Sequence, residues 1–356
     1  MRICYFGDFD PDYIRTRVLL RGLRENNARI FLCNSQAGGK KRFIELFKKY
    51  RALGEEYDLM IVRTSDVSRW SLFLARLLTR KPIVWDAHYS LYDAWVFDKQ
   101  FVSQGSFKAK YHWFLEWLAC KVSDMVFLDT DKHVDYFVEI FKADRNKFIR
   151  VFVGADDTTF VPEESKGGDN DFIVNFWGKY IPLQGIQYIV RAAKILEEDS
   201  EIKFNILGRG QTYREIRELA SNLNIKNINF IDGVPYEAIP KFIGEADVCL
   251  GLFGNTAKTQ RVIANKVYET IAMAKPVISA DTPGMRELFE DRKNILFCRH
   301  ADPEDLAEKI MELKNDDELR NKIAQGGYEL FQRRATPRAI VQKFIEELKS
   351  LTNAVR

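Results

Sequence analysis

The sequence of 356 residues is poor in the residues that build metal sites and disulfide frameworks. It contains only four histidines and five cysteines, and the cysteines are widely separated with no C-x-x-C pair. Each cysteine lies in or beside an apolar run, which is typical of buried free thiols in a reducing compartment. Because no Cys/His cluster occurs, we predict no metal. The cysteines are Cys4, Cys33, Cys120, Cys249 and Cys298.

The chain also lacks a strong charge excess and a long apolar run. A formal net charge of +3 is small for this length and argues against a nucleic-acid partner. No segment approaches the roughly 18 uninterrupted apolar residues that span a bilayer. The first residues lead directly into a strand-like run ending at Gly7, without a basic and then apolar signal segment. We therefore expect a cytoplasmic protein.

Apolar residues make up 46% of the chain and charged residues 29%, the profile of a folded globular protein. The length suits two domains of about 150–180 residues each. Short apolar runs alternate with amphipathic stretches, which predicts parallel strands covered on both faces by helices. In the first half we predict strands at 3–6, 28–33, 59–62, 83–85, 125–128 and 148–151, with helices that include 17–25, 42–53, 70–78 and 111–121.

A polar segment with proline and paired glycines at 162–171 is the clearest break in composition, and we interpret it as a linker. The alternation then restarts, with a helix predicted at 262–273 among others. The expected architecture is α/β, with two Rossmann-like doubly wound domains facing across a cleft. The predicted ranges are 1–161 for a first domain, 172–335 for a second domain, and 336–356 for a helix packing back toward the first.

The loop after the predicted strand at 172–177 has the composition of a phosphate site. Gly178 allows a sharp turn and a close approach to a ligand. Lys179 adds a positive charge, and the helix that opens near Gln184 directs free N–H groups toward the loop. The alternative is an ordinary strand-to-helix turn with a solvated lysine.

Two further segments of the second half carry polar residues at element ends. Gly208 and Gly210 form a G-x-G turn after a strand, which alone is a weak signal. Asn265, Lys266 and Glu269 fall at the start of a helix, and the last two share one face. A carboxylate there can accept both hydroxyls of a ribose. The alternative is a surface salt bridge between Lys266 and Glu269.

Taken together, these segments resemble the group 1 glycosyltransferases, also called family four. The resemblance rests on six motifs in order over about residues 170–315: F-x-G-K with Q-G-I, L-G-x-G, F-x-x-G-V-P, E-A-D-V, N-K-V-Y-E-T-I-A-M-A-K-P-V-I and T-P-G-x-x-E. Residues 155–160 also resemble a segment of that family. The resemblance implies a GT-B fold in which the second domain binds most of a nucleotide diphosphate sugar.

The resemblance also implies roles for particular residues. Lys179 matches a basic residue that neutralises the donor diphosphate, whereas Gln184 stands where a second one is usually lysine. Glu269 matches the ribose-binding glutamate, and Arg261 stands where an earlier glutamate approaches the sugar. Either Arg261 with Lys258 supplies the missing charge, or the sugar is held differently. The predicted donor-binding residues are Gly178, Gln184, Gly208, Gly210, Lys258, Asn265, Lys266 and Glu269, and the predicted catalytic residues are His88, Lys179 and Arg261.

In the first half, His88 follows a predicted strand in the run Trp85-Asp-Ala-His88. Its position is similar to that of a family histidine whose partner is the donor sugar; the alternative is a buried structural histidine. Asp10, Tyr13 and Arg15 open the first helix, where they contact acceptor or donor phosphate or form a plain solvated helix start.

Residues 40–51 and 69–76 combine basic and aromatic side chains. Such helices can lie on an anionic membrane surface. The alternative is a sheet-covering helix whose apolar face lies in the core. Peripheral contact at the inner face of the cell membrane is therefore one of two open interpretations.

The expected function is transfer of a sugar from a nucleotide diphosphate sugar to a hydroxyl of a glycan or lipid-linked acceptor. The resemblance implies retention of anomeric configuration, no metal, and no cofactor apart from the donor as co-substrate. The alternatives are a sugar-nucleotide epimerase or phosphorylase of the same fold, or a non-catalytic nucleotide-sugar-binding protein.

Overall fold

The computed structural model describes residues 1–54, 56–64, 68–99, 101–162 and 171–354. Residues 163–170 of the predicted linker lie outside this part of the chain. Two compact units are present, one formed by Met1–Gly154 with Thr336–Arg356 and the other by Ala155–Ala335. The first unit therefore ends at Gly154, before the predicted position 161, because the following residues pack with the second unit.

The first unit is built on a six-stranded parallel sheet in the order β2-β1-β3-β4-β5-β6. All six predicted strands are present, because each is an apolar run and the central ones are buried on both faces. They are β1 (Arg2–Gly7), β2 (Arg29–Asn34), β3 (Leu59–Arg63), β4 (Ile83–Asp86), β5 (Met125–Leu128) and β6 (Phe148–Arg150).

Helices cover both faces of this sheet. They are α1 (Ile14–Glu25), α2 (Gly39–Leu53), α3 (Trp70–Leu78), the short α4 (Leu91–Asp93) that continues into a π-helical turn at Ala94–Asp98, α5 (Phe107–Val122), α6 (Asp131–Phe141) and, from the end of the chain, α13 (Pro337–Ala354). Helix α13 packs tightly on α1. A side chain at Gly22 would place its Cβ 2.0 Å from the carbonyl oxygen of Pro337.

On the face opposite α1 and α13, helices α2, α3, α5 and α6 share one apolar core with the sheet. Hydrogen bonds join neighbouring helices of this layer. The Tyr50 hydroxyl of α2 donates to the Leu78 carbonyl of α3 at 2.9 Å, and the Arg76 guanidinium of α3 donates to the Val122 carbonyl of α5 at 2.8 Å. The outer surfaces of α2, α3 and α5 therefore lie side by side.

The second unit repeats the architecture, with a parallel sheet in the order β12-β11-β10-β7-β8-β9. Its strands are β7 (Phe172–Trp177), β8 (Ile202–Leu207), β9 (Ile228–Ile231), β10 (Val248–Leu250), β11 (Val277–Ala280) and β12 (Leu296–Cys298). Its helices are α7 (Ile186–Ile195), α8 (Tyr213–Asn222), α9 (Ile239–Gly244), α10 (Asn265–Ala272), α11 (Pro303–Asn315) and α12 (Asp317–Arg334), with a 3₁₀ turn at Pro182–Gln184 before α7. Ligands of such folds gather at the carboxyl ends of the strands.

One predicted helix is wrong at its start. The pattern predicts a helix from residue 262, but α10 begins at Asn265 because Ala264 has extended dihedral angles, φ −71° and ψ 147°. Apolar spacing continues through the extended residues and conceals the boundary. The five cysteines are buried and free, as predicted. No helix of the described ranges combines the length and apolar character needed to cross a bilayer.

Candidate functional site

Two glycine bends bring the ends of β7 and β8 together. Gly178 and Gly208 have φ angles of 152° and 131°, values that side-chain-bearing residues rarely adopt. A Cβ at Gly208 would lie 2.0 Å from the carbonyl oxygen of Gly178, and one at Gly210 would lie 2.6 Å from that of Tyr180. Glycine is required here by backbone packing, so the two turns form one floor at the carboxyl edge of the sheet.

Helix α10 directs two charged side chains into the interior of the unit. Lys266 is 4% exposed and Glu269 is 3% exposed, while Asn265 at the helix start is half-buried. The indole Nε1 of Trp177, at the end of β7, donates to Glu269 Oε2 at 2.8 Å. The alternative of a surface salt bridge is therefore wrong, since both side chains are almost fully removed from solvent.

Lys266 lies where the Gly178 bend and the turn before α7 meet. Its Nζ donates to Gln184 Oε1 at 2.5 Å and lies 3.5 Å from the centroid of the Phe176 ring. A Cβ at Gly178 would lie 3.1 Å from the same nitrogen. The structure thus brings together Gly178, Gln184 and Lys266 on three different segments, with Glu269 one helical turn away.

The environment of Lys266 disfavours its charge. Burial lowers the pKa of the ammonium well below its usual value of 10.5, and the nearby Glu269 carboxylate partly opposes that shift. A desolvated cation is costly unless an anion compensates it. Its hydrogen-bond partner Gln184 is neutral. An anion placed against Lys266 would therefore be bound strongly by a group that is already in position.

The loop that precedes α10 packs against the turn before α7. The buried Thr259 hydroxyl donates to the Leu183 carbonyl at 3.4 Å, and a Cβ at Gly185 would lie 2.4 Å from the Gly254 nitrogen. On its other side, Gly284 touches the Arg261 backbone, where a Cβ would lie 2.7 Å from the Arg261 carbonyl carbon. This packing fixes the backbone that carries Lys258 and Arg261, whose side chains are half-buried.

Lys179 lies one residue beyond the Gly178 bend and is exposed to solvent. It therefore stands at the same strand edge as the buried cluster but outside it. Its predicted role toward a diphosphate stays a prediction.

In the first unit, His88 and Tyr13 lie together at the carboxyl edge of the sheet. His88 is half-buried with a left-handed φ of 57°, and its ring centroid lies 6.0 Å from that of Tyr13. A positive φ is uncommon for histidine and is concentrated at functional turns. Asp10 is exposed, and its carboxylate accepts a hydrogen bond from the Asp12 N–H at 3.0 Å. The structure therefore has His88, Tyr13 and Asp10 at the carboxyl edge of the sheet, where the sequence predicts them.

Arg15 lies elsewhere, because its side chain turns into the interior. It is 3% exposed, and its Nη2 lies 3.3 Å from Asp86 Oδ1. Arg63 approaches the same oxygen at 3.4 Å, and the Tyr5 hydroxyl donates to Asp86 Oδ2 at 3.1 Å. Burial, and then the Asp86 charge, raise the pKa of Tyr5 well above its ordinary value. Arg15 thus pairs with the buried end of β4, so the alternative of a solvated helix start is wrong for this residue. Its predicted contact with acceptor or donor phosphate stays a prediction.

The sequence analysis missed two residues that hold site residues in place, one in each unit. Asp86 precedes His88 by two residues at the end of a buried strand, and that placement was the available signal. Trp177 was also missed, although it directly precedes the Gly178 bend. A polar-edged aromatic buried at a strand end needs a hydrogen-bond partner, which here is Glu269.

The sequence model of the family described as "Glycosyl transferases group 1" matches residues 156–330. This range lies within the second unit and contains the whole Gly178–Lys266–Glu269 cluster. The second unit is a group 1 glycosyl transferase domain.

Curated relatives match this chain over part of their length. An uncharacterized glycosyltransferase of Methanocaldococcus jannaschii is 25% identical over 57% of this chain and 55% of its own. A D-inositol 3-phosphate glycosyltransferase of Corynebacterium efficiens is 24% identical over 58% and 52%. A poly(ribitol-phosphate) alpha-N-acetylglucosaminyltransferase of Staphylococcus aureus is 23% identical over 50% and 35%. The chain therefore spans about half the length of these relatives, or less.

Solved structures match the chain almost end to end. HepE of Anabaena, crystallised with UDP-glucose, has a TM-score of 0.73 at 16% identity and covers 98% of this chain and 100% of its own. Sucrose-phosphate synthase of Thermosynechococcus elongatus has a TM-score of 0.77 at 15% identity, with 99% and 100% covered. The chain has the GT-B fold, with two Rossmann-like units, as the sequence predicted.

Proposed function

We propose that this group 1 chain transfers a sugar from a nucleoside diphosphate sugar to a hydroxyl of a glycan or lipid-linked acceptor. The observation that carries the proposal is the buried turn of α10, where Lys266 and Glu269 lie beside the Gly178 bend. One turn offers a cation for phosphate, and the next offers a carboxylate for ribose hydroxyls.

The diphosphate has a matching environment at the Gly178 bend. A Cβ at Gly178 would lie 3.1 Å from Lys266 Nζ, so a phosphate seated at this glycine would lie close to the ammonium. The Gln184 side chain lies at the same place, because its Cδ would be 3.7 Å from that Cβ and its Oε1 accepts from the ammonium, so a phosphate that reaches Lys266 would replace this hydrogen bond. In this proposal, Lys266 supplies the charge that is missing at position 184, with Lys179, Lys258 and Arg261 adding positive charge around it.

Charge development in the reaction explains why such cations matter. When the bond between the sugar and the diphosphate breaks, the departing diphosphate gains negative charge. Cations fixed by the fold stabilise that charge without reorganising during the step. We propose retention of anomeric configuration, independence of metal ions, and a role for His88 on the sugar side. Product anomers identified by NMR test the first of these, and activity after chelator treatment tests the second.

The solved structures that resemble this chain indicate which nucleotide to test first. HepE has been crystallised with UDP and with UDP-glucose, which favours testing uridine nucleotides first. Calorimetric titration of the full chain with UDP, GDP and ADP, followed by incubation with the corresponding sugars, tests donor choice. Release of a free nucleotide together with a glycosylated product supports transfer, whereas an epimerised donor or free sugar phosphate would indicate the alternative chemistries.

The Glu269→Ala variant tests the ribose contact. Each hydrogen bond lost to a charged acceptor costs about 1.5–3 kcal/mol, so affinity for the nucleotide should fall about ten- to a hundredfold. Glu269→Gln keeps an acceptor for Trp177 and should lose less. Glu245→Ala, on an exposed position of the same unit, is the matched control. Equal nucleotide affinity in all three variants would remove Glu269 from the site.

A further inference from the structure

The outer surface of α3 and α5 in the first unit is unusually apolar. Five large side chains project from these adjacent helices, and we call them the aromatic face. Their exposed fractions are 49% for Trp70, 85% for Leu77, 85% for Phe107, 37% for Tyr111 and 48% for Phe114. A contiguous exposed apolar patch on a globular unit indicates an interaction site.

The aromatic face is ordered by contacts between its helices. The Trp70 indole Nε1 donates to the Tyr111 hydroxyl at 3.1 Å, which joins α3 to α5 at the surface. Phe114 stacks on Trp117, with ring centroids 5.8 Å apart and planes 29° apart. Phe107, Tyr111 and Phe114 follow each other at intervals of four and three, so they form one stripe along α5.

The inner sides of the same helices bury Leu72, Ala75, Leu115 and Ala119 against the sheet. Covering the sheet therefore does not require the outer aromatic residues. Helix α2 shows the same arrangement, since Leu46 is fully buried while Ile44 and Phe47 are exposed. Core packing explains why the inner side of each helix is apolar, but it does not explain the apolar residues on the outer side.

Cations predominate among the exposed charges of α3 and α5, and the Asp124 carboxylate just after α5 is paired with Arg76 of α3 at 2.5 Å. The only acidic side chain of α3 and α5 is Glu116, which is fully buried and pairs with Arg69 at 2.7 Å. The exposed charged residues of α5 are all cationic, as is the exposed residue that follows α3. They are Lys108, Lys110, Lys121 and Arg80. A surface that combines apolar side chains with cations complements anionic headgroups above an acyl layer.

We propose that the aromatic face docks the chain on the surface of an anionic lipid bilayer, with α3 and α5 lying in the interfacial plane. Trp70, Phe107 and Phe114 enter the boundary between headgroups and acyl chains, and Lys110 and Lys121 contact the headgroups. Docking of the aromatic face on a bilayer does not depend on whether the α10 cluster binds a nucleotide.

Vesicle co-sedimentation of the full chain tests the proposal. We expect binding to equimolar phosphatidylglycerol and phosphatidylcholine vesicles, little binding to phosphatidylcholine alone, and weaker binding near 1 M salt, where the Debye length is about 3 Å. Lys110→Gln and Lys121→Gln should each lower the partition coefficient about fivefold. Leu77→Ser combined with Phe107→Ser should lower it about tenfold or more.

The matched control is Ile195→Ser, which removes a similarly exposed apolar side chain from the second unit. It should leave vesicle binding unchanged. Trp70 provides a second readout, because brominated lipids should quench tryptophan fluorescence in the wild type and quench it less in Trp70→Phe. Nucleotide affinity should be the same in all these variants, which separates this test from that of the donor site.

Three results would overturn the proposal. One is failure of the wild type to bind anionic vesicles, and another is binding of the Leu77→Ser/Phe107→Ser variant as strong as that of the wild type. The third is a concentration-dependent dimer that the same variant dissociates while vesicle binding is absent, which would assign the aromatic face to a second copy of the chain.

Discussion

The two units differ in the group that accepts a hydrogen bond from a buried cation. In the first unit, Arg69 is 2% exposed and pairs with the buried Glu116 carboxylate, which also accepts hydrogen bonds from the Ser90 hydroxyl and the Leu91 N–H. In the second unit, Lys266 is equally buried but donates to the neutral amide of Gln184. A cation paired with a carboxylate holds structure together, whereas a cation held by an amide retains its capacity for an anion.

The two units also differ in how many large apolar side chains they expose. Of the large apolar side chains exposed in the described residues, eleven belong to the first unit and three to the second. The second unit therefore has its distinctive chemistry inside, at a strand edge, and the first unit has it outside, on helices. Substitutions at the two kinds of site should change different properties.

The largest effect is expected from Glu116→Gln in the first unit. Removing one partner of a buried ion pair leaves an uncompensated charge and costs about 3–5 kcal/mol of unfolding free energy. Urea denaturation measures the loss, with Glu139→Gln on the exposed side of α6 as the control. Nucleotide affinity below the unfolding transition should not change. A loss below about 1 kcal/mol would contradict the structural role of this pair.

The next effect is expected from Lys266→Met in the second unit. Stability should change by less than about 2 kcal/mol, because relief of desolvation offsets the lost hydrogen bond to Gln184. Affinity for a nucleoside diphosphate should fall about tenfold or more, because a charge-assisted contact is removed. Lys226→Met, on an exposed position, is the control. A variant that lost stability but kept its affinity would reverse the comparison between the two buried cations.

A smaller effect is expected from pH. Burial lowers the pKa of Lys266 in the folded chain well below its ordinary value of 10.5. At a pH between the lowered pKa and 10.5, the unfolded chain therefore binds more protons than the folded chain. Stability should therefore rise with pH in that window, while affinity for a diphosphate should fall, because the anion binds the protonated amine. The diphosphate is already fully ionised above about pH 7.5, since phosphate has its second pKa near 6. Calorimetry at increasing pH measures both trends, and Lys266→Met should remove both. Parallel rather than opposite trends would contradict this account.

Much of the fold follows from the sequence, for a physical reason. All six strands of the first unit are apolar runs, and those at the centre of the sheet are buried on both faces, so the sequence predicts each of them. Glycines at 178 and 208 were visible because only glycine allows such close backbone contact. The helix boundary at Asn265 was missed, because apolar periodicity does not distinguish an extended residue from the first helical turn.

The burial of the α10 cluster was not predictable from local pattern. Spacing places Lys266 and Glu269 on one helix face, but it does not say whether that face meets solvent. The outcome depends on the distant Gly178 and Gln184 segments, which fold over the helix. The sequence indicated residues 69–76 as a possible membrane-surface segment but missed the part of the aromatic face that lies on α5, because the apolar residues of α5 do not reveal which side covers the sheet.

A crystal structure of the full chain soaked with UDP tests the central claim most directly. The account predicts phosphate density within hydrogen-bond distance of Lys266 Nζ beside Gly178, and ribose hydroxyls on the Glu269 carboxylate. Nucleotide density bound elsewhere, with Lys266 still covered by Gln184 and Phe176, would contradict it.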